Sequence, residues 1–495
     1  MPIANKYGIL AIHKPYHPNH INVMYTKNTH IHFVGIGGIG MSGIATILKK
    51  SGYAVSGCDP DTTQETITQL RNIGCIVHHG NNTPACADES IDILVYIPMY
   101  EYTIPAITNE ISRARERNII TVTRAQMLSE LMRTKYSIAT SGSHGKTTTS
   151  ALIAHILLHA DYDPTIVIGG QLKNIQSNAY VGSGEFFVAE ADESDRSFLQ
   201  LNPTLAVVTN IDLEHLETYK DLDDIKQAFA QFMTNLPFYG KAIVCIDDKN
   251  IQSLLPLHKT STLTYGIHNS ADIFATNIVL NKDHSLFDVH TKQKPEQSLG
   301  TIMLPIAGIH NVYNALGAIT LALEIGIDFD TISQGLALFG GVDRRFSFHG
   351  MYKGAEIFDD YGHHPKEIEN TLLVARKRTK NKLIVVFQPH RYTRTHMLWN
   401  DFLSTLSTNI IDTLIITDIY PAGEKAIENI SSKQLTEELL ARNPLLTIHY
   451  APISDNFSHI KTKIAQSTQP DDLILLLGAG RMHYIAEQLI NSHCP

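Results

Sequence analysis

A lysine and a run of threonines directly behind a glycine turn are the residues whose types and spacing point most clearly to chemistry. In Thr140-Ser141-Gly142-Ser143-His144-Gly145-Lys146-Thr147-Thr148, small residues let backbone N–H groups approach phosphate oxygens, and Lys146 supplies charge for the terminal phosphates of a nucleotide. The Thr147 hydroxyl is a candidate Mg²⁺ ligand. The match to G-x-x-x-x-G-K-[ST] is imperfect, because Thr140 stands at the first glycine. Two later apolar runs end in polar residues, as strands of open α/β sheets do where they gather ligands. Glu185–Ala189 ends at Glu190, a candidate Mg²⁺ ligand facing the triphosphate. Leu205–Ile211 ends at Asp212-Leu213-Glu214-His215, where His215 is a candidate for a second metal or for positioning an acceptor carboxylate. Asp192, Glu193 and Asp195 read as a solvated or outlying acidic loop.

A second glycine turn lies upstream. Ile31–Val34 runs into Gly35-Ile36-Gly37-Gly38-Ile39-Gly40, and Gly35, Gly37 and Gly40 satisfy G-x-G-x-x-G, with Asp59 about where a ribose-binding acid is expected. The turn implies a diphosphate on a helix end, and UDP, NAD and FAD all carry one. An NAD-dependent oxidoreductase and a ligand-free βαβ turn both remain open on this motif alone. Arg124 either contacts a ligand from the last loop or caps a helix at the surface. Near the other end, His390, Arg391 and Arg394 lie together, and two arginines three apart can hold a carboxylate, with a basic surface turn as the alternative. Asn311 and Asn314 fall at a helix start, where asparagines ordinarily cap.

The elements that must position these residues alternate strand and helix throughout, which predicts an α/β protein with parallel sheets. Its 495 residues suit about three domains, each able to bury its own core. An N-terminal arm (1–27) precedes a Rossmann-like domain (28–136), a central P-loop-type ATPase domain (137–342) and a second Rossmann-like domain (343–495). Ile273–Leu280 and Ser285–His290 read as a hairpin extending the central sheet. In the last domain, four apolar strands each end in a polar cluster. At 43% apolar and 18% charged residues the composition is that of an ordinary globular protein. Apolar runs are far shorter than the roughly 20 residues of a membrane span, so no membrane insertion is expected. The N-terminus lacks the apolar core of a signal peptide. Five scattered cysteines without metal-like spacing imply a reducing, cytoplasmic setting. A net charge of −9 argues against a nucleic-acid partner.

Taken together, the chain resembles the Mur ligase family. HFVGIGGIGMSGIA, SGSHGKTTT, AEADESD, TNIDLEH, HNVYNA, GVDRRF, DDYGHHP, QPHRYTRT and DIYPAGE occur in the family's order over about residues 30 to 480. The resemblance implies an ATP- and Mg²⁺-dependent ligase that joins UDP-N-acetylmuramate to L-alanine through an acyl phosphate. A member of the same family that accepts a whole tripeptide is the alternative. It implies that Gly35, Gly37, Gly38, Gly40 and Arg124 bind the UDP-sugar. Gly142, Ser143, His144, Gly145, Lys146, Thr147 and Thr148 would bind ATP, with Asn311 at the adenine and Arg345 and Asp360 on the nucleotide. Lys146, Glu190 and His215 would be the catalytic set, with Thr147, Glu190 and His215 on metal. His390, Arg391 and Arg394 would take the amino-acid carboxylate. Three departures stand out: Ile97-Pro98-Met99-Tyr100 replaces a Ser-Ser-Ala-like turn, Arg481 follows Gly480 where an acid is common, and Phe229-Ala230 occupy the region of a carbamylated lysine. Carbamylation is therefore not expected.

Overall fold

Short runs of branched apolar residues, each followed by a turn and a helix, build three sheets. The structure, a computed structural model, describes residues 28–81, 90–98, 101, 104–257 and 260–491. The arm expected over 1–27, together with Cys86, Met99, Tyr100 and Cys494, lies outside the described residues.

The first sheet comprises β1 (His30–Val34), β2 (Ala54–Asp59), β3 (Ile76–His79), β4 (Ile93–Tyr96) and β5 (Ile120–Thr123), all parallel in the order β3-β2-β1-β4-β5. Strand order reverses at β1, so the glycine turn that follows it sits at the point where such sheets bind ligands.

The second sheet holds β6 (Tyr136–Ser141), β7 (Thr165–Leu172), β8 (Ser177–Tyr180), β9 (Phe186–Glu190), β10 (Leu205–Val208), β11 (Lys241–Cys245), β12 (Thr262–Gly266), β13 (Ile273–Leu280), β14 (Ser285–Thr291) and β15 (Lys294–Leu304). Its order is β15-β14-β13-β12-β11-β10-β6-β9-β7-β8. β6 pairs in parallel with β9 on one side and β10 on the other, which puts Thr140 opposite Glu190 and Ser141 opposite Val208. The expected hairpin of β13 and β14 is present, and β15 continues it. Most of β15 is exposed and reads KPEQS at its start, so no apolar pattern announced it.

The third sheet contains β16 (Ser347–Tyr352), β17 (Ala355–Asp360), β18 (Leu383–Phe387), β19 (Thr413–Ile416), β20 (Thr447–Tyr450) and β21 (Leu473–Leu477), ordered β16-β17-β21-β18-β19-β20. The four expected strands form its middle. The two edge strands, β16 and β20, are partly solvated and correspondingly mixed in sequence.

The expectation that each domain buries a separate core holds fully only for the last, although one face of the first sheet keeps a small cluster of its own around Val34, Leu94 and Ile111. Apolar residues from Ile31 to Val342 form one continuous cluster across the first two sheets. The helix Ile39–Lys50 makes the join: its Ile39 carbonyl accepts from Asn178 Nδ2 at 2.6 Å, and its Gly43 packs close to Val167. The third sheet instead has its own clusters, centred on Phe387 and Ile474.

Arg481 also crosses between domains, donating to Asp61 Oδ2 at 2.9 Å. Its side chain is 62% exposed, and an ion pair so placed is worth at most about 1 kcal/mol. Arg481→Ala should therefore leave kcat within about fivefold of wild type; a larger loss in steady-state assays would show that this contact governs closure.

Candidate active site at the central sheet edge

Beyond β6 the chain turns through Gly142–Gly145 into the helix Lys146–His159. Gly145 has φ +84°, and a Cβ there would stand 2.3 Å from Asn314 Oδ1, so only glycine lets the helix Ile309–Glu324 approach. Among the described residues no side chain caps this helix start, which leaves its first-turn amides facing outward toward an anion. The Ser143 and His144 amides, in contrast, donate to the Asn210 carbonyl and Oδ1 at 3.0 and 2.9 Å.

Lys146 Nζ donates to the Gly142 carbonyl at 2.6 Å and to Glu193 Oε1 at 2.8 Å. The Thr147 hydroxyl donates to Glu190 Oε2 at 2.8 Å, and the Gly169 amide donates to the same oxygen at 2.8 Å. Lys146, Thr147 and Glu190 thus converge as expected. His215 joins them through Glu193, its Nε2 lying 3.3 Å from Glu193 Oε1 and 3.5 Å from Glu214 Oε2. It adopts φ +55°, rare for a residue with a Cβ, and its carbonyl accepts from the Thr218 and Tyr219 amides.

The acidic loop requires a correction. Glu193 is 1% exposed rather than solvated, and its Oε2 has no hydrogen-bond partner among the described residues. The Tyr219 hydroxyl, donating to the Glu193 carbonyl at 2.6 Å, holds this turn inward. In a sequence, an acid amid acids gives no sign of such burial. Asp192 pairs with Arg124 at 3.4 Å, and Asp195 accepts from the Ser197 amide.

Charge is dense here. Burial works against the Lys146 ammonium, but Glu193, Asp192 and Glu190 hold its pKa above the ordinary range. Burial likewise opposes His215, yet Glu193 and Glu217 raise it to about 9. His144 rises to about 10 despite burial, because Glu214, Asp212 and Glu367 surround it.

A cavity of about 520 Å³ opens beside the loop, between the central and third sheets, with Gly145, Asn311, Asn314, Arg345 and Asp360 in its wall. Asn311 is not a cap: Gly308 caps that helix, and Asn311 Nδ2 donates to the Ala307 carbonyl while Oδ1 accepts from Asn314. Asp360 accepts from the Phe346 and Gly362 amides, and burial, opposed by Arg345, raises its pKa to about 6.

A second, smaller cavity is lined by His215, Glu214 and Glu217 from the central domain and by Arg391 and Arg394 from the third. Leu213, Met397 and Leu398 close it with apolar surface. Arg391 Nη1 lies 3.2 Å from Glu217 Oε1. His390 stands behind: its Nδ1 accepts from Arg394 Nη1 at 3.1 Å, and burial with Arg394 and Arg391 depresses its pKa to about 3, so it is a neutral acceptor. Glu217 was missed because it belongs to no recognisable motif.

At the first glycine turn, Asp59 is 5% exposed and accepts from the Gly37 amide at 2.9 Å and the Asp61 amide at 2.9 Å, so it braces the turn rather than waiting for a ribose. Arg124 lies over the turn: a Cβ on Gly40 would meet its Nη1 at 2.9 Å. Its pairing with Asp192 excludes the simple surface cap and links this turn to the central site.

Comparison with known proteins covers nearly the whole chain. Residues 30–136 match the Mur ligase family, catalytic domain, residues 140–322 the Mur ligase middle domain, and residues 344–480 the Mur ligase, glutamate ligase domain. The UDP-N-acetylmuramate–L-alanine ligase of Syntrophus aciditrophicus is 44% identical over 472 residues, 95% of either chain. That of Geobacter sulfurreducens is 43% identical over 469 residues, 94% of this chain and 98% of its own. Among solved structures, the UDP-N-acetylmuramate-alanine ligase of Thermotoga maritima superposes with a TM-score of 0.78 at 26% identity, covering 94% of this chain and 99% of that one. A murein peptide ligase from Psychrobacter arcticus shares the fold, with a TM-score of 0.72 at 24% identity over 94% and 98% of the two chains.

Proposed function

The chain belongs to the Mur ligase family, and from that premise we infer how its residues perform the ATP-dependent joining of L-alanine to UDP-N-acetylmuramate in peptidoglycan synthesis. The single observation that carries the assignment of roles is the position of Glu193, which ties Lys146 on the phosphate loop to His215 on the rim of the arginine-lined cavity. ATP lies in the larger cavity with its phosphates over the Lys146 helix. The diphosphate of the UDP-sugar rests on Gly35–Gly40 under Arg124, and alanine enters beside the smaller cavity, which at about 20 Å³ must widen to admit it, with its carboxylate on Arg391 and Arg394.

A carboxylate is a poor electrophile, and phosphorylation gives it a leaving group. The lactyl carboxylate attacks the γ-phosphorus and ADP departs; the alanine amine then attacks the acyl phosphate and phosphate departs. Lys146 balances charge on the transferring group, and first-turn amides orient it. The oxygen donors of Thr147 and Glu190 suit one Mg²⁺, and the unpaired Glu193 Oε2 with Glu214 and His215 suits a second. Bound there, Mg²⁺ supplies charge neutralisation at the phosphates. Contacts from His144 to Glu367 and from Lys366 to Asp212 hold the third domain over the site and exclude water.

No helix among the described residues is long and apolar enough to cross a membrane. The buried Cys58, Cys75 and Cys245, none of them in a disulfide among the described residues, accord with a reducing cytoplasm, where ATP is available.

The test is purified protein with ATP, Mg²⁺, UDP-N-acetylmuramate and either single amino acids or the muramyl tripeptide. Alanine-stimulated ADP release with a ligated product is expected; tripeptide-only stimulation would favour the recycling alternative, and no stimulation would remove the ligase reading. Arg394→Ala should raise KM for alanine roughly 10- to 100-fold, the worth of a charge-assisted hydrogen bond, with KM for ATP nearly unchanged.

A further inference from the structure

A second set of ligand-bearing side chains lies inside the first sheet, apart from the site above. Alternation along β1 and β2 sends His32 and Cys58 to the face that the helix Pro105–Glu116 covers, and that helix turns Glu110 inward among Ile107, Ile111 and Ala114. His32, Cys58 and Glu110 are each no more than 1% exposed. Glu110 Oε1 lies 3.4 Å from His32 Nε2 and 3.1 Å from Cys58 Sγ; Cys58 Sγ is 3.6 Å from Asn81 Oδ1. One ligand atom from each of His32, Cys58 and Glu110 can be chosen so that all lie within 4.8 Å of one another.

From this geometry we propose that His32, Cys58 and Glu110 form a structural Zn²⁺ site, with Asn81 Oδ1 as the fourth donor. The edges of a zinc tetrahedron built from bonds of about 2.0 to 2.3 Å run roughly 3.3 to 3.8 Å; the Glu110–His32 and Cys58–Asn81 separations, 3.4 and 3.6 Å, fall in that range, and Glu110–Cys58, at 3.1 Å, must open by a few tenths of an ångström on loading. One thiolate, one imidazole and one carboxylate are a borderline donor set that suits zinc over magnesium. Thiolate and carboxylate together carry two negative charges, which Zn²⁺ cancels, so the buried group is neutral. The imidazole is also oriented for the task. Ser56 Oγ lies 2.7 Å from His32 Nδ1 and 2.7 Å from His30 Nε2; with Ser56 accepting from Nδ1–H and donating to His30, the Nε2 lone pair of His32 faces the thiol and carboxylate.

The site would brace the UDP-sugar turn. The Cys58 carbonyl accepts from the Gly35 and Ile36 amides at 2.8 and 3.0 Å, and the next residue, Asp59, accepts from Gly37. Fixing Cys58 therefore fixes the turn, and zinc raises the thermal midpoint of the chain.

Full-length protein loaded with Zn²⁺ and dialysed without chelator is expected to retain one zinc per chain, with one sulfur in the zinc X-ray absorption shell. Co²⁺ in its place gives a thiolate-to-cobalt charge-transfer band, which Cys75→Ser keeps and Cys58→Ser loses. Co²⁺ in the sulfur-free Mg²⁺ sites gives no such band. Ser56→Ala weakens zinc binding about 10- to 100-fold. A protonated His32 paired with Glu110 balances the same charge without metal. In that case the wild-type protein shows no band and an all-nitrogen-and-oxygen zinc shell, and the proposal is overturned without recourse to any variant; a band that survives Cys58→Ser overturns it equally.

Discussion

Lys146→Ala should cut ADP release roughly 1,000-fold, the scale of losing a charged donor aimed at a transferring group. Binding of UDP-N-acetylmuramate, measured by calorimetry, should stay within about twofold, because the glycine turn at Gly35–Gly40 is on another sheet and distant sites act independently. Comparable loss of both would mean that the variant disturbs the fold, since Lys146 also neutralises the buried Glu193. Lys146→Arg, which keeps the positive charge beside Glu193, separates these outcomes.

Glu193→Gln should be nearly as damaging, about 100-fold or more in kcat, although no substrate need touch it for the harm to occur. Its carboxylate stands between the Lys146 ammonium and the His215 ring, and removing one partner of a buried charge cluster leaves the others uncompensated. His215, held at about 9 in part by Glu193, should titrate closer to its ordinary value, which histidine NMR would follow. The Mg²⁺ concentration for half-maximal turnover should rise as well. An unchanged kcat with an unshifted Mg²⁺ requirement would reduce Glu193 to a packing residue.

How far the sequence revealed this site depends on which physical signal each residue leaves. Gly142–Thr148 was legible because phosphate binding demands small residues, a helix start and a lysine in consecutive positions. Glu190 and His215 were legible because each ends an apolar strand, and the placement of β6 between β9 and β10 delivers both strand ends to the loop. Glu193 was misread because burial of a carboxylate depends on the cations that meet it in space, and Lys146 is 47 positions away. Asp59 fell where a ribose acid belongs by spacing, but the tightness of its own turn claims it for the Gly37 amide. The role of His390 was legible only as membership of a cluster. Its place behind Arg394 follows from side-chain packing that local patterns do not encode. For the fold, apolar strands announced themselves, whereas β15, β16 and β20 carry too much solvated sequence to do so.

The continuous core across the first two sheets sets how the chain comes apart. The first two sheets share their larger apolar interior, so residues 28–342 should melt as one cooperative unit, while the third sheet, with its own interior, should melt as another. A calorimetric trace should then resolve two transitions rather than three. Expressed alone, the third domain should fold, whereas the first, cut near residue 136, would expose the apolar face of Ile39–Lys50 to water and aggregate.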